Sequence, residues 1–236
     1  MRDRIRIWTR FFPSANPGLS SNISEVFSRY LHIMKISELR PELTLIADWI
    51  ENGSKVLDLG CGDGAFLAAL REEKQVIGYG IEIDTDNIKA CIDHSVNVIQ
   101  SNIDDGLNDF EDDSFDYVIM SQTIQAVHHP HKTIDDMLRV GGQGIITFPN
   151  MGNWKCRLQL ALGKMPVTKH LPHSWYDTPN IHMCTVKDFD GLCKTRNISI
   201  LERATLNAQH EKIIGMPLLP NLRAEIAVYK INQSLS

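Results

Sequence analysis

Gly60, Gly62 and Gly64 alternate with Cys61 and Asp63 directly after the run Val56-Leu57-Asp58-Leu59. Glycine lets a chain turn sharply and lets a ligand approach the backbone with no Cβ in the way. Residues 65–71 follow with helical spacing, and the first amides of a helix point outward without partners. Glu82 comes 18 residues after Gly64, at the end of the next apolar run. A carboxylate there can accept hydrogen bonds from ribose hydroxyls. The set points to a nucleoside-type ligand, and two classes compete. Residues 60–65 also read G-x-G-x-x-A, compatible with a dinucleotide fingerprint. Asp58 leading into the loop, and Asp63 within it, would repel a pyrophosphate and favour a cation such as the α-ammonium of S-adenosylmethionine (SAM). Charges at ~4 Å near a surface interact by a few kcal/mol, enough to decide between the two. A purely structural turn is the third reading, and Asp63 serves equally well as a helix cap.

Other residues with chemical potential carry less. His128-His129-Pro130-His131 falls in the loop after a predicted strand, open to use as a metal site or a general base. No carboxylate adjoins it in sequence, and a solvated loop is the plainer account. Asp177, His182 and Cys184 have the residue types of a nucleophile–base set but no supporting spacing. No G-x-S-x-G elbow occurs, so the chain shows no α/β-hydrolase nucleophile. The five cysteines, Cys61, Cys91, Cys156, Cys184 and Cys193, form no C-x-x-C pair and read as free, mostly buried thiols of a reducing compartment. Residues 150–184 mix Trp154, Trp175, Tyr176, Met151 and Met165 with Lys155, Arg157, Lys164 and Lys169. Trp154, Leu158 and Ala161 share a helical face that Gly163 ends. The segment is expected to be either a lid, core on one side and solvated on the other, or a surface for a partner or substrate. Its basic face is too short to imply RNA.

These residues need a scaffold. Pro41 suits a first helical turn, and Leu43, Ile46, Ala47 and Ile50 then recur at helical spacing until Asn52-Gly53. Strands are expected over 55–59, 76–83, 96–100, 115–121 and 144–148, with helices over 65–71, 87–94 and 132–139 between them. The tail adds a helix over 187–195 and strands over 198–203 and 224–231. Such alternation gives an α/β fold, a mostly parallel sheet with helices on both faces. Ligands bind such sheets at the carboxyl ends of the strands, which selects the loops after Leu59, Ile83, Gln100 and Ser121.

The chain has 236 residues, 43% hydrophobic and 22% charged, enough for one large domain and typical of globular usage. No apolar run approaches the ~18 residues that span a bilayer. A net charge of −5 gives no general attraction for phosphate backbones, so neither membrane nor nucleic acid is expected as a partner. Residues 1–33 differ from the rest: five arginines against Asp3 and Glu25 give +3, leaving −8 for residues 34–236. Their Pro, Gly, Ser and Asn content favours disorder. They lack the apolar stretch of a secretory signal. They read as an N-terminal extension, disordered or upstream of a true start at Met34, before a single domain over 34–236.

The Asp-Leu-Gly-Cys-Gly-Asp-Gly loop and Gly80-Ile81-Glu82-Ile83-Asp84 resemble class I SAM-dependent methyltransferases. The resemblance narrows with Arg40-Pro41 to Ile50, Val98-Ile99-Gln100, Phe115-Asp116-Tyr117-Val118, residues 121–127, Phe148-Pro149-Asn150, Met165-Pro166-Val167-Thr168 and residues 175–182, which look like the methionine biosynthesis protein MetW family. It covers about residues 34–205. It implies a Rossmann-like class I methyltransferase fold, a cytoplasmic place, and SAM or S-adenosylhomocysteine (SAH) as ligand. It also implies a homoserine O-acyltransferase of the MetX type as partner. Carried onto this sequence, it assigns the ligand to Asp58, Gly60, Cys61, Gly62, Glu82, Ile83, Asn102, Ile103 and Ser121. Asp58 takes the amino group, Gly60 and Gly62 the methionyl part, Glu82 the ribose and Asn102 the adenine. The family's usual Gly-Asp after the third strand is Ser101-Asn102 here. An Asn carbonyl still accepts from the adenine amino group, but without the strength that a charged acceptor adds, and Asp104 is placed to substitute. No catalytic residue is assigned. The expectation is a SAM-binding accessory of the acyltransferase; the alternative is a SAM-dependent methyltransferase acting on a small molecule.

Overall fold

Local hydrophobic alternation builds the centre of the molecule. Lys55–Leu59 forms β1, whose last four residues are buried. A computed structural model describes residues 34–207 and 219–234, so the expectation for residues 1–33 lies outside the described residues. Pro41–Trp49 forms α1 with the proline in its first turn, and Ala65–Lys74 forms α2. Ile77–Glu82 is β2, Thr85–Asp93 is α3 and Asn97–Gln100 is β3. Asp84 caps α3, accepting from the amides of Asp86 and Asn87 at 2.8 and 3.1 Å. Phe115–Ser121 is β4, Pro130–Val140 is α4 and Gly141–Pro149 is β5. Trp154–Ala161 is α5, Val186–Thr195 is α6, Ile198–Leu206 is β6, Pro220–Arg223 is α7 and Ile226–Gln233 is β7.

The seven strands lie in the order β3-β2-β1-β4-β5-β7-β6. The first five are parallel; β7 inserts antiparallel between β5 and β6. The order reverses between β1 and β4, which leaves a crevice at their carboxyl ends. Helices cover both faces. Leu57 and Leu59 of β1 join Met137 and Leu138 of α4 and Phe189 and Cys193 of α6 in one core cluster. Gly78 and Gly80 of β2, in register with Val56 and Asp58, lie against Leu67 of α2. The period of two thus turns Asp58 toward the α2 face.

Helix α2 and strand β6 each run three residues past expectation and β7 lies two residues later; two further departures have a local cause. β5 starts at Gly141, directly after α4, rather than at residue 144. The glycine pair reads as a breaker, but a Cβ at Gly141 would stand 2.5 Å from Val118 Cγ2, so glycine is there for close strand packing. Helix α4 begins at Pro130, so Pro130 and His131 form its first turn and not a loop. Past β5, Asn150 is buried and uses its whole amide. Its Nδ2 donates to the carbonyls of Asn221 and Ala224, and its Oδ1 accepts from Gly152 and Val186. It ties the end of β5 to the start of α6 and to the approach to β7.

Candidate functional site

The glycine loop after β1 is clamped from below. The amides of Gly60 and Cys61 both donate to the Ile81 carbonyl of β2, at 2.8 and 3.1 Å. Gly60, Gly62 and Gly64 all have positive φ, and only at Gly62 of the three would a Cβ meet nothing within 4 Å. That glycine therefore answers to backbone conformation, with open space on its ligand side. Asp63 Oδ1 accepts from the Ala65 amide at 3.0 Å in a turn that leads into α2; the N-cap position itself is Gly64, which has no side chain to cap with. Cys61 and Cys91 are free buried thiols with sulfurs 3.8 Å apart beneath the loop.

Asp58 is 4% exposed, and its Oδ1 has no hydrogen-bond partner. Burial pushes its carboxyl from 3.8 up to about 7, with the Arg40 guanidinium lowering it and Glu82 raising it. An orphaned carboxylate of this kind is costly unless a cation meets it. It borders a cavity of about 350 Å³, in the size range of small-molecule sites. Gly60, Cys61, Gly62, Asp63, Arg40 and Ser121 are among its other walls.

Three residues of this mouth escape sequence reasoning. Glu42 of α1 is 1% exposed, takes Arg40 Nη1 on Oε1 at 3.1 Å, and leaves Oε2 unpartnered. Arg40 Nη2 also reaches Ser121 Oγ at 3.4 Å. Gln122 follows β4 with φ +56, a left-handed conformation that a non-glycine residue adopts at a cost. Its amide is held by Thr147, and its side-chain Nε2 donates to Glu42 Oε1. The signal available in sequence is only Arg40-Pro41 at a helix start and a Gln after a strand. Nothing local joins residues 40–42 to 121–122.

The nucleoside side is more open. Glu82 is buried at the end of β2 but engaged by backbone amides: Oε2 accepts from Gly62 at 2.9 Å and Oε1 from Ile83 and Asp84 at 2.8 and 2.9 Å. Two carboxylate oxygens offer about four lone-pair directions, so Oε2 keeps one for a hydroxyl. Ile83 is 60% exposed beside it. Asn102, after neighbouring β3, is exposed and uses Oδ1 to accept from the Asp104 amide at 3.1 Å. Ile103 packs partly buried against the core cluster. Asp104 is engaged across the loop: its two oxygens meet the amide and Nδ1 of His128, each at 2.7 Å, one contact per oxygen. Burial raises this carboxyl, and the His128 contacts outweigh burial and hold it below the ordinary range. The carboxylate missing beside His128 in sequence is thus supplied in space. The ionised Asp104 carboxylate makes Nδ1 the donor in this contact.

Asp177, His182 and Cys184 do not form a set. His182 Nε2 lies at the His128 carbonyl, and Cys184 Sγ turns to the Thr185 carbonyl. Burial first, and Asp188 second, push the Cys184 thiol up to about 12, which leaves it un-ionised at neutral pH. Among the described residues no group of three or more His, Cys, Asp or Glu is placed to hold a metal ion. No helix among them is long and apolar enough to cross a membrane.

Strand order, helical layers and a glycine-loop cavity at the switch point define a class I methyltransferase fold. Solved structures agree. A chain of the Haloferax volcanii complex of the Trm112 methyltransferase activator matches with TM-score 0.60 and 15% identity, over 83% of this chain and 91% of that one. A SAM-dependent methyltransferase of Thermotoga maritima matches with TM-score 0.59 and 15% identity, over 90% and 97%. The [4+2]-cyclase SpnF also matches, with TM-score 0.59 and 13% identity over 85% and 83%, so the fold serves more than one chemistry. The family model described as methionine biosynthesis protein MetW matches residues 40–231, and the chain belongs to that family. The bifunctional methionine biosynthesis protein MetXA/MetW of Rhodopirellula baltica is 35% identical over 193 residues. That match takes in 78% of this chain and only 31% of the length of the curated relative.

Proposed function

We propose that this chain is a cytoplasmic accessory of homoserine O-acyltransferase in methionine biosynthesis and that it binds SAM or SAH. The observation that carries the ligand is the buried, unpartnered Asp58 carboxylate on the cavity wall. It takes the ligand's ammonium, while Arg40, held by Glu42, faces the ligand's carboxylate beside Ser121. The backbone of Gly60, Cys61 and Gly62 lines the methionyl part. Glu82 offers its remaining lone pair to the ribose. Ile83 and Ile103 flank the adenine, and Asn102 turns its amide to the adenine edge. When bound, SAM would supply an electrophilic methyl group; this chain's residues bind and orient it. The partnership is supported by the relative whose name joins MetXA and MetW in one polypeptide.

Calorimetry with SAH and SAM, together with acyltransferase assays with and without this chain, tests both halves. Micromolar binding and an acyltransferase rate that depends on the chain are expected; no heat with either ligand removes the first half, and an indifferent rate the second. Occupancy is then able to tune the acyltransferase, provided SAM binds the free and complexed chain with different affinities. A flat acyltransferase response across SAM concentrations removes that coupling.

One observation favours a second reading, methyl transfer to a small molecule: the Asp104–His128 pair presents a base in the loop after β4. Methyl transfer from labelled SAM to a cell-extract component, abolished in His128→Gln with SAH binding intact, would establish it.

A further inference from the structure

Ten of the eighteen large apolar side chains exposed among the described residues fall between Trp154 and Met183. Helix α5 turns Cys156 inward and leaves Trp154, Leu158 and Leu162, spaced four apart, at least half exposed. A helix on a finished surface does the reverse. Further along, Trp175 and Tyr176 are each 74% exposed and pack edge to face, with ring centroids 5.6 Å apart. They sit on a turn closed by the pairing of Ser174 with Asp177.

The segment is tied down on either side of that turn. Gln159 bonds the Val167 backbone in both directions, at 3.1 and 3.2 Å. Glu225 holds Lys155 at 2.7 Å and lies 3.7 Å from His170. The amides of Ile181 and His182 donate to the Gln125 carbonyl at 2.8 and 2.9 Å. The aromatic pair is therefore presented on an anchored frame, and ordering it on contact costs little entropy. Exposed apolar surface of this extent marks an interaction site.

Charge narrows the occupant. Residues 154–183 carry Lys155, Arg157, Lys164 and Lys169 against Asp177, +3, or +2 with Lys155 set against its partner Glu225, while the rest of residues 34–236 carries −11. Two copies meeting through the same patch would set like charges face to face. A nucleic acid would be repelled by the acidic remainder. In the fused relative the matched module is 31% of the polypeptide, and the name it bears assigns MetXA to the same chain. We infer that the face over residues 154–183 seats the homoserine O-acyltransferase, through an apolar patch of that enzyme rimmed by acidic side chains. This placement rests on the accessory role proposed for the chain. The face abuts Gln125 and His128 in the loop after β4, whose Gln122 touches Glu42 at the ligand mouth, so the partner would sit beside the cavity.

The test uses the full chain and the homoserine O-acyltransferase of the same organism, purified separately, with affinity read by interferometry. Trp175→Ala/Tyr176→Ala, and independently Leu158→Glu, are expected to weaken binding at least 30-fold, about 2 kcal/mol. Ile92→Ala, exposed on α3, should leave it within twofold. All variants should keep the unaltered Tm and SAH affinity. If the unaltered chain binds and both face variants stay within threefold, the enzyme docks elsewhere and the surface is wrong while the proposed function stands. If the variants abolish only self-association in sedimentation, the face joins copies and the inference is overturned. If the unaltered chain fails to bind the enzyme, the accessory reading itself falls and the surface with it.

Discussion

The ligand mouth and the segment over residues 154–183 invert the usual partition in opposite senses. At the mouth, three carboxylates, Asp58, Glu42 and Glu82, are buried, and two of them keep an oxygen without a partner. In the segment, Trp175 and Tyr176 stand three-quarters exposed. Buried unpaired charge and exposed large apolar side chains are each unfavourable in isolation. On the two proposals each makes sense as one half of a contact, the first completed by a cation and the second by a macromolecule. Polarity mismatched to burial, more than the fold, tells the two sites apart.

Asp58→Asn tests the mouth most severely. It should lower SAH affinity at least 100-fold by calorimetry, about 3 kcal/mol for a buried charged contact. The same change should raise the Tm of the free protein at pH 8. The folded pKa of Asp58, about 7, lies above its ordinary 3.8. Its contribution to stability is therefore fully present below pH ~4 and is lost as pH rises through ~7. A weakened affinity without a gain in Tm would mean that Asp58 is not strained in the free protein, and the contrast with the apolar face would fail on that side.

Arg40→Gln should weaken SAH about tenfold, because the ligand's carboxylate loses a charged partner. It should also move the pH midpoint of binding above 7, since the group that holds Asp58 down is gone. A weaker affinity with an unmoved midpoint would separate Arg40 from Asp58.

On the proposed function, the ligand's ammonium in the unaltered chain meets only ionised Asp58. SAH affinity should rise about tenfold from pH 6 to pH 8, and binding below pH 7 should release a proton, detectable as heat that varies with buffer ionisation enthalpy. A flat profile would place the cation away from Asp58. The smallest effect is expected of Asn102→Asp, which would restore a charged acceptor at the adenine edge proposed for it and should tighten SAH by about threefold.

Much of this is readable in the chain itself, and what is readable is local. The β1–glycine loop–α2 unit and Glu82 after β2 follow from apolar alternation and residue type over fewer than about thirty consecutive positions. The extents of β5 and α4 escape local reading, because Gly141 and Pro130 look like breakers. The glycine answers to Val118 on the neighbouring strand, and the proline opens a helix. By sequence, residues 150–184 fit a lid as well as a contact surface. Only the exposure of Trp154, Leu158 and Trp175 shows which way the apolar side faces. The tie of Asp104 to His128, 24 positions away, has no signal in the sequence.

Sequence alone determined the order of strands and helices, the glycine turn and the acid placed after β2, because side-chain periodicity and backbone freedom are properties of neighbouring residues. The tertiary structure decided the charge state of Asp58, the joining of Arg40 and Glu42 to Ser121 and Gln122 some eighty positions away, and the outward face of α5. Those depend on dielectric, field and packing, which arise only when distant segments are brought together.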